Sequence, residues 1–186
     1  METACQAVAN PSILAAKRPI LSLTHAVPRP QPLAVSSEET RTIRTAHSVI
    51  RHPHTGSTTF GFVPSLLAIT GSARSLPVRL TYGRQAGDAY GYGAIHCWKG
   101  HEKDIRKLGG DCPEDSALLV ASVIKAGTSL FFEKSEVGSS KIVAYRPFAG
   151  TVVLGLTGKG NFQYWKVITA HAEKGRCGRK LGQIMD

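Results

Sequence analysis

Apolar residues in the second half of the chain recur at spacings that predict two helices. The first set has the i, i+4, i+7 spacing of one helix face: Ala94, Trp98, His101, Ile105 and Leu108. The glycine pair at 109–110 would end this helix. A second helix is predicted to open at Pro113, because proline tolerates the first turn and carboxylates such as Glu114 and Asp115 suit the positive end of the helix dipole. Its apolar stripe comprises Ala117, Val120, Ala121 and Ile124, before a stop at Gly127.

Beyond Gly127 the pattern changes to β-type runs separated by turn residues. The predicted strands cover residues 128–133, 141–146, 151–157 and 161–171. Their short connections favour antiparallel neighbours. The predicted fold class is therefore α+β, with N-terminal helices packed on a four-stranded antiparallel meander sheet.

Composition divides the chain into unequal parts. Seven of the ten prolines precede residue 76, whereas eleven of the thirteen aromatic residues and sixteen of the nineteen glycines follow it. Residues 27–32, VPRPQP, favour an extended polyproline-like linker. We therefore predict a poorly ordered, proline-rich extension at 1–75, the folded domain at 76–172 and a basic C-terminal tail at 173–186.

Charge points to an acidic partner. The chain has 23 Lys and Arg against 13 Asp and Glu, a formal net charge of +10, which favours nucleic acid, an anionic surface or an acidic protein. The longest mostly apolar run, residues 62–69, is far shorter than the roughly 20 residues of a membrane-spanning helix. Lys17 and Arg18 interrupt any Sec-type signal, so we expect a cytoplasmic protein without a membrane partner. The acid-poor, Arg-bearing residues 1–51 also fit a transit peptide.

The cysteines do not indicate a metal site or a disulfide framework. Cys5, Cys97, Cys112 and Cys177 are scattered without a C-x-x-C pair. We expect reduced thiols, no bound metal and no cofactor.

Two short motifs resemble those of a nuclease group. Residues 91–101 read GYGAIHCWKGH, a helix follows, and residues 165–171 read WKVITAH near the end of the last predicted strand. Over residues 76–172 this pattern resembles the BECR-fold nucleases, named after barnase, EndoU, colicin-type RNases and RelE, and most of all their phage-associated branch. The sequence departs from the pattern at Cys97, where an aliphatic residue is usual, and at His171, where an aromatic is more common.

The resemblance implies a toxin-type endoribonuclease that cleaves RNA without a metal. In such enzymes the ribose 2′-OH attacks the adjacent phosphate, helped by a base, an acid and a cation. By resemblance, His96 and His101 are the motif histidines, Thr169 is the strand hydroxyl, and Lys166 or Arg146 supplies the cation. A cognate immunity protein or antitoxin, an origin in a phage or mobile element, and delivery into a target-cell cytoplasm are implied with it.

Helix geometry constrains the two motif histidines. His96 and His101 are five positions apart, about 140° around an ideal helix. Both imidazoles can therefore reach one phosphate only if the helix begins late or bends at Gly100; otherwise His96 belongs to the loop before the helix. His101 also lies on the apolar stripe, so a buried core histidine is the alternative to a catalytic one.

The last strand and the tail supply the remaining candidates. On a regular strand Trp165, Thr169 and His171 share one face, where an aromatic ring would suit unstacked RNA bases; His171 is then a further catalytic imidazole. In the tail, Arg176, Arg179 and Lys180 are candidates for steering phosphates, or are simply solvated. The alternative function is a non-catalytic basic RNA-binding or phage structural module.

Overall fold

The computed structural model describes residues 44–87, 90–133, 141–172 and 178–186. These residues belong to one compact unit, Arg41–Asp186. The strands are β1 Val49–Ile50, β2 Phe62–Val63, β3 Leu76–Thr81, β4 Arg84–Ala86, β5 Tyr90–Tyr92, β6 Ser129–Glu133, β7 Lys141–Arg146, β8 Gly150–Thr157, β9 Tyr164–His171 and β10 Arg179–Gln183. The helices are α1 Leu67–Thr70, α2 Gly93–Lys107 and α3 Ser116–Val123, with single 3-10 turns at Pro113–Asp115 and Gly160–Phe162.

Eight strands form one mixed sheet, in the order β1-β3-β9-β8-β7-β6-β10, with β2 also paired to β3. Strands β6 to β9 are consecutive antiparallel neighbours, whereas β3 runs parallel to β9. The predicted fold class was therefore wrong: the protein is a mixed α/β structure, and its sheet has eight strands in place of the four of an antiparallel meander. Short turns reveal strands that are neighbours in sequence, but β2, β3 and β10 pair with partners that no local turn marks.

Strand β2 is hydrogen-bonded to the C-terminal residues that follow β10. Phe62 in β2 and Met185, just after β10, exchange two backbone hydrogen bonds of 2.8 Å each. Because β2 pairs with β3 and β10 pairs with β6, this bridge closes a hydrogen-bonded ring of strands. Strands β1 and β2 lie within the sequence assigned above to the extension, and β10 lies within the sequence assigned to the tail.

The two long helices form where the apolar periodicity predicted them. The 3-10 turn before the second is secured by Asp115, whose Oδ2 accepts hydrogen bonds from the backbone N–H groups of Asp111 at 2.8 Å and Cys112 at 3.1 Å. These bonds lower the pKa of the Asp115 carboxyl. The predicted opening at Pro113 is therefore a 3-10 turn, and α3 itself begins at Ser116.

One apolar core lies between the helices and the sheet. Its fully buried side chains include Trp165, Leu76, Leu80, Ile105, Leu119, Ile142 and Leu154. Helix α2 packs mainly against β9, which brings the motif residues of the helix to the motif residues of the strand. Among the described residues, no helix has both the length and the apolar character needed to cross a membrane.

Candidate functional site

A histidine pair lies where α2 meets the end of β9. The ring centroids of His101 and His171 are 4.3 Å apart and the ring planes are inclined at 77°. The helix is interrupted at His101, whose φ of −138° and ψ of 27° are not helical. This break directly follows Gly100, where the sequence suggested a bend. The two imidazoles are half-buried and in direct contact with each other.

A β-bulge decides which side chains of β9 accompany His171. Val153 and Leu154 of β8 pair with Thr169 and Val167, so Ile168 is an extra residue without a partner. Cross-strand partners share a face, and adjacent residues on β8 point to opposite faces. Thr169 and His171 therefore share a face with Lys166, while Val167 belongs to the core face.

Trp165 does not lie on the face of His171. Its side chain is fully buried on the core face, since the bulge shifts the alternation by one residue between 165 and 169. The expectation that it forms an aromatic platform beside Thr169 and His171 fails for this reason. A fully buried ring is not available to stack on a nucleobase.

Thr169 contacts the helix through Cys97. Burial raises the pKa of the Cys97 thiol to about 12, and the Thr169 hydroxyl shares a hydrogen bond with this thiol. Cys97 is therefore a neutral, core-packed side chain that replaces the usual aliphatic residue of the motif, and it is not a nucleophile. The contact fixes the Thr169 hydroxyl at the seam between α2 and β9.

His96 lies away from the pair, at the first turn of α2, and its tautomer is fixed by Gln85. The Gln85 amide donates from Nε2 to the Gly87 carbonyl at 2.6 Å, so its Oε1 faces His96 Nδ1 at 2.7 Å. Because Oε1 can only accept, Nδ1 carries the proton and Nε2 is left as a base. Burial, and then the charge of Lys99, lower the pKa of His96, which favours this neutral form.

Lys166 is held over an aromatic ring. Its Nζ lies 3.7 Å from the centroid of the Tyr92 ring, in a cation–π contact. Burial, and then the charge of Arg84, lower the pKa of Lys166. Two cations this close repel each other, and an anion between them would relieve the repulsion. Lys166 of β9 and Arg84 of the β4–β5 hairpin therefore form a cationic patch.

The other predicted phosphate ligands are dispersed. Arg146 directs its guanidinium to the Ala126 carbonyl and the Thr128 hydroxyl, both at 3.4 Å. Arg179 and Lys180 are exposed on β10, paired with Phe132 and Phe131 of β6. They are thus carried by a strand, whereas Arg176 lies outside the described residues.

A pocket of about 630 Å³ is lined in part by residues close in sequence to the two histidines. It is lined by Asp104, Lys107, Leu108, Leu119, Ser122, Tyr145, Arg146, Phe148, Ala149, Gly150 and Ala172. Asp104 follows His101 by three residues, and Ala172 directly follows His171. Tyr145 of the wall also shares a cross-strand row with His171, two strands away, whereas the residues that line the pocket do not include either imidazole.

Several residues of this region were missed by the sequence analysis. Gln85, Arg84 and Tyr145 carry no motif signal, since they act through strand pairing: Tyr145 shares a cross-strand row with Thr151 and His171. Tyr92 did have a signal, because it is the aromatic of the Gly-Tyr-Gly sequence before the helix. That sequence was interpreted only as a lead-in to His96.

Comparisons of the chain with protein-family models, with curated proteins and with solved structures found no match. Within the part of the chain that the structure describes, no group of three or more His, Cys, Asp and Glu side chains is arranged to hold a metal ion.

Proposed function

We propose that this protein is an endoribonuclease that cleaves RNA by attack of the ribose 2′-OH on the adjacent phosphate, with His101 and His171 as proton-transfer groups and without a metal ion. The observation that carries the proposal is the contact between these two imidazoles, 4.3 Å between centroids, at the seam of α2 and β9. They come from the two separate motifs that resemble the BECR nucleases. The sheet differs from the expected one, so the proposal rests on the site and not on the fold.

Two imidazoles in contact suit acid–base catalysis. Two positive charges side by side repel each other, so the proposed mechanism uses one neutral ring and one protonated ring. One ring can then accept the proton of the 2′-OH while the other donates a proton to the leaving 5′ oxygen. Only these two protons move between protein and substrate in this step.

The remaining residues are assigned by their place along β9. The Thr169 hydroxyl is next to the pair and can hydrogen-bond a phosphate oxygen. Lys166 is five residues from His171, a backbone separation of roughly 13–16 Å, so it serves a neighbouring phosphate of the bound strand. His96, with its basic Nε2, lies near that second position. A toxin-type role with an immunity protein or antitoxin as partner is proposed from the motif resemblance alone.

The decisive experiment is incubation of the purified full chain with labelled single-stranded RNA in excess EDTA. We expect cleavage of RNA, but not of DNA or of RNA methylated at the 2′ oxygen, since the attacking hydroxyl is then absent or blocked. The pH–rate profile should be bell-shaped between about pH 5 and 8, where imidazoles titrate.

Variants then test the assignment. His101→Ala and His171→Ala should each lower the cleavage rate by roughly 10²–10⁴-fold while the protein still unfolds cooperatively. His47→Ala, at an exposed histidine outside the site, is the matched control and should be fully active. A strict need for a divalent ion, or cleavage of DNA, would refute the mechanism. Salt-sensitive RNA binding without cleavage would instead support a non-catalytic RNA-binding module.

A further inference from the structure

The turn between β7 and β8 contains an aromatic residue, Phe148, that combines a fully exposed side chain with a positive φ. Phe148 is completely exposed, with a relative accessibility of 109%, and its φ is +63°. Pro147 fixes a negative φ before it, and the Ala149 N–H donates to the Arg146 carbonyl at 3.2 Å. A turn with this φ sequence normally places glycine or asparagine at the third position. Phe148 therefore has an unfavourable backbone conformation and an unfavourable exposure together.

Residues with a strained backbone cluster at active sites and ligand-binding segments. Phe148 forms part of the wall of the pocket of about 630 Å³, together with Tyr145, which shares a cross-strand row with His171. This volume lies within the usual range for small-molecule sites, about 300–1,000 Å³. The residues of the wall also include the polar Asp104 and Ser122.

The residues of the pocket wall indicate which kind of ligand fits the pocket. Gly150 and Ala172 in its wall lie next to His171, and Asp104 is one helical turn from His101. A nucleotide whose phosphate sits at the imidazole pair would extend its base into this space. Stacking of bases on aromatic rings is the common means of binding single-stranded RNA.

We propose that this pocket binds a nucleobase of single-stranded RNA and that the Phe148 ring stacks on that base. This inference rests on the proposed function, because the position of the base is inferred from a phosphate bound at His101 and His171. The Asp104 carboxylate accepts a hydrogen bond from Lys107 at 3.0 Å and has a further acceptor position for an N–H of the base edge. The strain at Phe148 thus keeps a flat apolar surface at the mouth of the pocket.

The test is direct binding of the four nucleoside 3′-monophosphates to the full chain, measured by isothermal titration calorimetry. Phe148→Gly removes the ring and relieves the positive φ, so it should weaken binding by roughly 5- to 150-fold, the equivalent of one lost stacking contact, while thermal stability stays equal or increases. Phe148→Trp should retain the affinity. Phe162→Ala is the matched control, since Phe162 is also exposed, at 85%, but precedes the opposite end of β9.

The outcomes separate this inference from the nuclease proposal. Phe148-dependent nucleotide binding by a chain that does not cleave RNA would refute the nuclease and leave the base pocket standing. Cleavage that persists with unchanged nucleotide affinity in Phe148→Gly would refute the base pocket alone. Equal affinity for inorganic phosphate and for nucleotides, or a change of oligomeric state in Phe148→Gly, would also overturn it, because the ring would then not contact a base.

Discussion

Three histidines of the motifs differ in their surroundings, and these differences assign their chemistry. His101 and His171 contact each other, so we propose them as the acid and the base of one reaction. His96 instead donates from Nδ1 to Gln85 Oε1 and stands as a single base. The sequence could suggest all three residues but not this division, because the division depends on a side-chain amide eleven residues upstream of His96.

His96 gives a prediction for the pH dependence of stability. Its pKa is lowered in the folded protein by burial and by Lys99, whereas the unfolded chain keeps a value of about 6.5. The unfolded state therefore binds more protons between these two values, and the free energy of unfolding rises with pH across that window. This stability is complete above about pH 6.5 and is lost as the pH falls through the folded pKa.

His96→Gln keeps a hydrogen-bond donor but removes the titration. Urea unfolding at pH 7.5 and pH 5 should then show a smaller loss of stability on acidification than in the wild type. His52, whose pKa is also lowered by burial, contributes in the same direction in both proteins and cancels in the comparison. An identical acid-induced loss in wild type and variant would contradict the assignment of His96.

At the scale of elements, the sequence pattern predicted the helices and the strands that are neighbours in sequence, but it missed the β-bulge and the pairing of distant strands. Helix α2 and helix α3 follow from their apolar spacing, and β6 to β9 follow from turn residues between apolar runs. The bulge at Ile168 is invisible in the sequence, because neither glycine nor proline marks it, yet it turns Trp165 away from the site. The parallel pairing of β3 with β9 joins segments that are far apart in sequence, so no local pattern indicates it.

The start of β8 gives a prediction for the geometry of the site. Gly150 has a φ of +122°, and a Cβ there would collide with the His171 carbonyl and with Ala172. Gly150→Ala should therefore destabilise the protein by about 1–3 kcal/mol and also displace His171. Gly127→Ala, at a φ of +82° with no atom near the added Cβ, isolates the backbone cost alone. The two variants are compared by urea unfolding and RNA cleavage; equal losses in both would show that the close approach at His171 is unimportant.

At the scale of the whole molecule, the net charge of +10 is spread beyond the histidine pair. Arg179 and Lys180 lie on β10, which is separated from β9 by three strands in the sheet order. Both side chains are exposed to solvent. Because β10 pairs with β6 through its backbone, these cations are held on a folded surface, and a bound strand long enough to reach them would release counterions there.

The salt dependence of RNA binding measures this contribution. Changing both Arg179 and Lys180 to Gln should make the slope of log affinity against log salt concentration less negative by about 1.4, since each contact with a single-strand phosphate contributes about 0.7. The probe is a 2′-O-methyl RNA strand, which the wild type would bind without cleaving, and folding of the variant is checked by its thermal unfolding.

Lys159→Gln, an exposed cation in the turn before β9, is the control and should change the slope less. The cleavage rate at saturating RNA should be unaffected, because the imidazole pair is untouched. An unchanged slope in the double variant would mean that the β10 cations are solvated and that phosphate contacts are confined to the neighbourhood of β9.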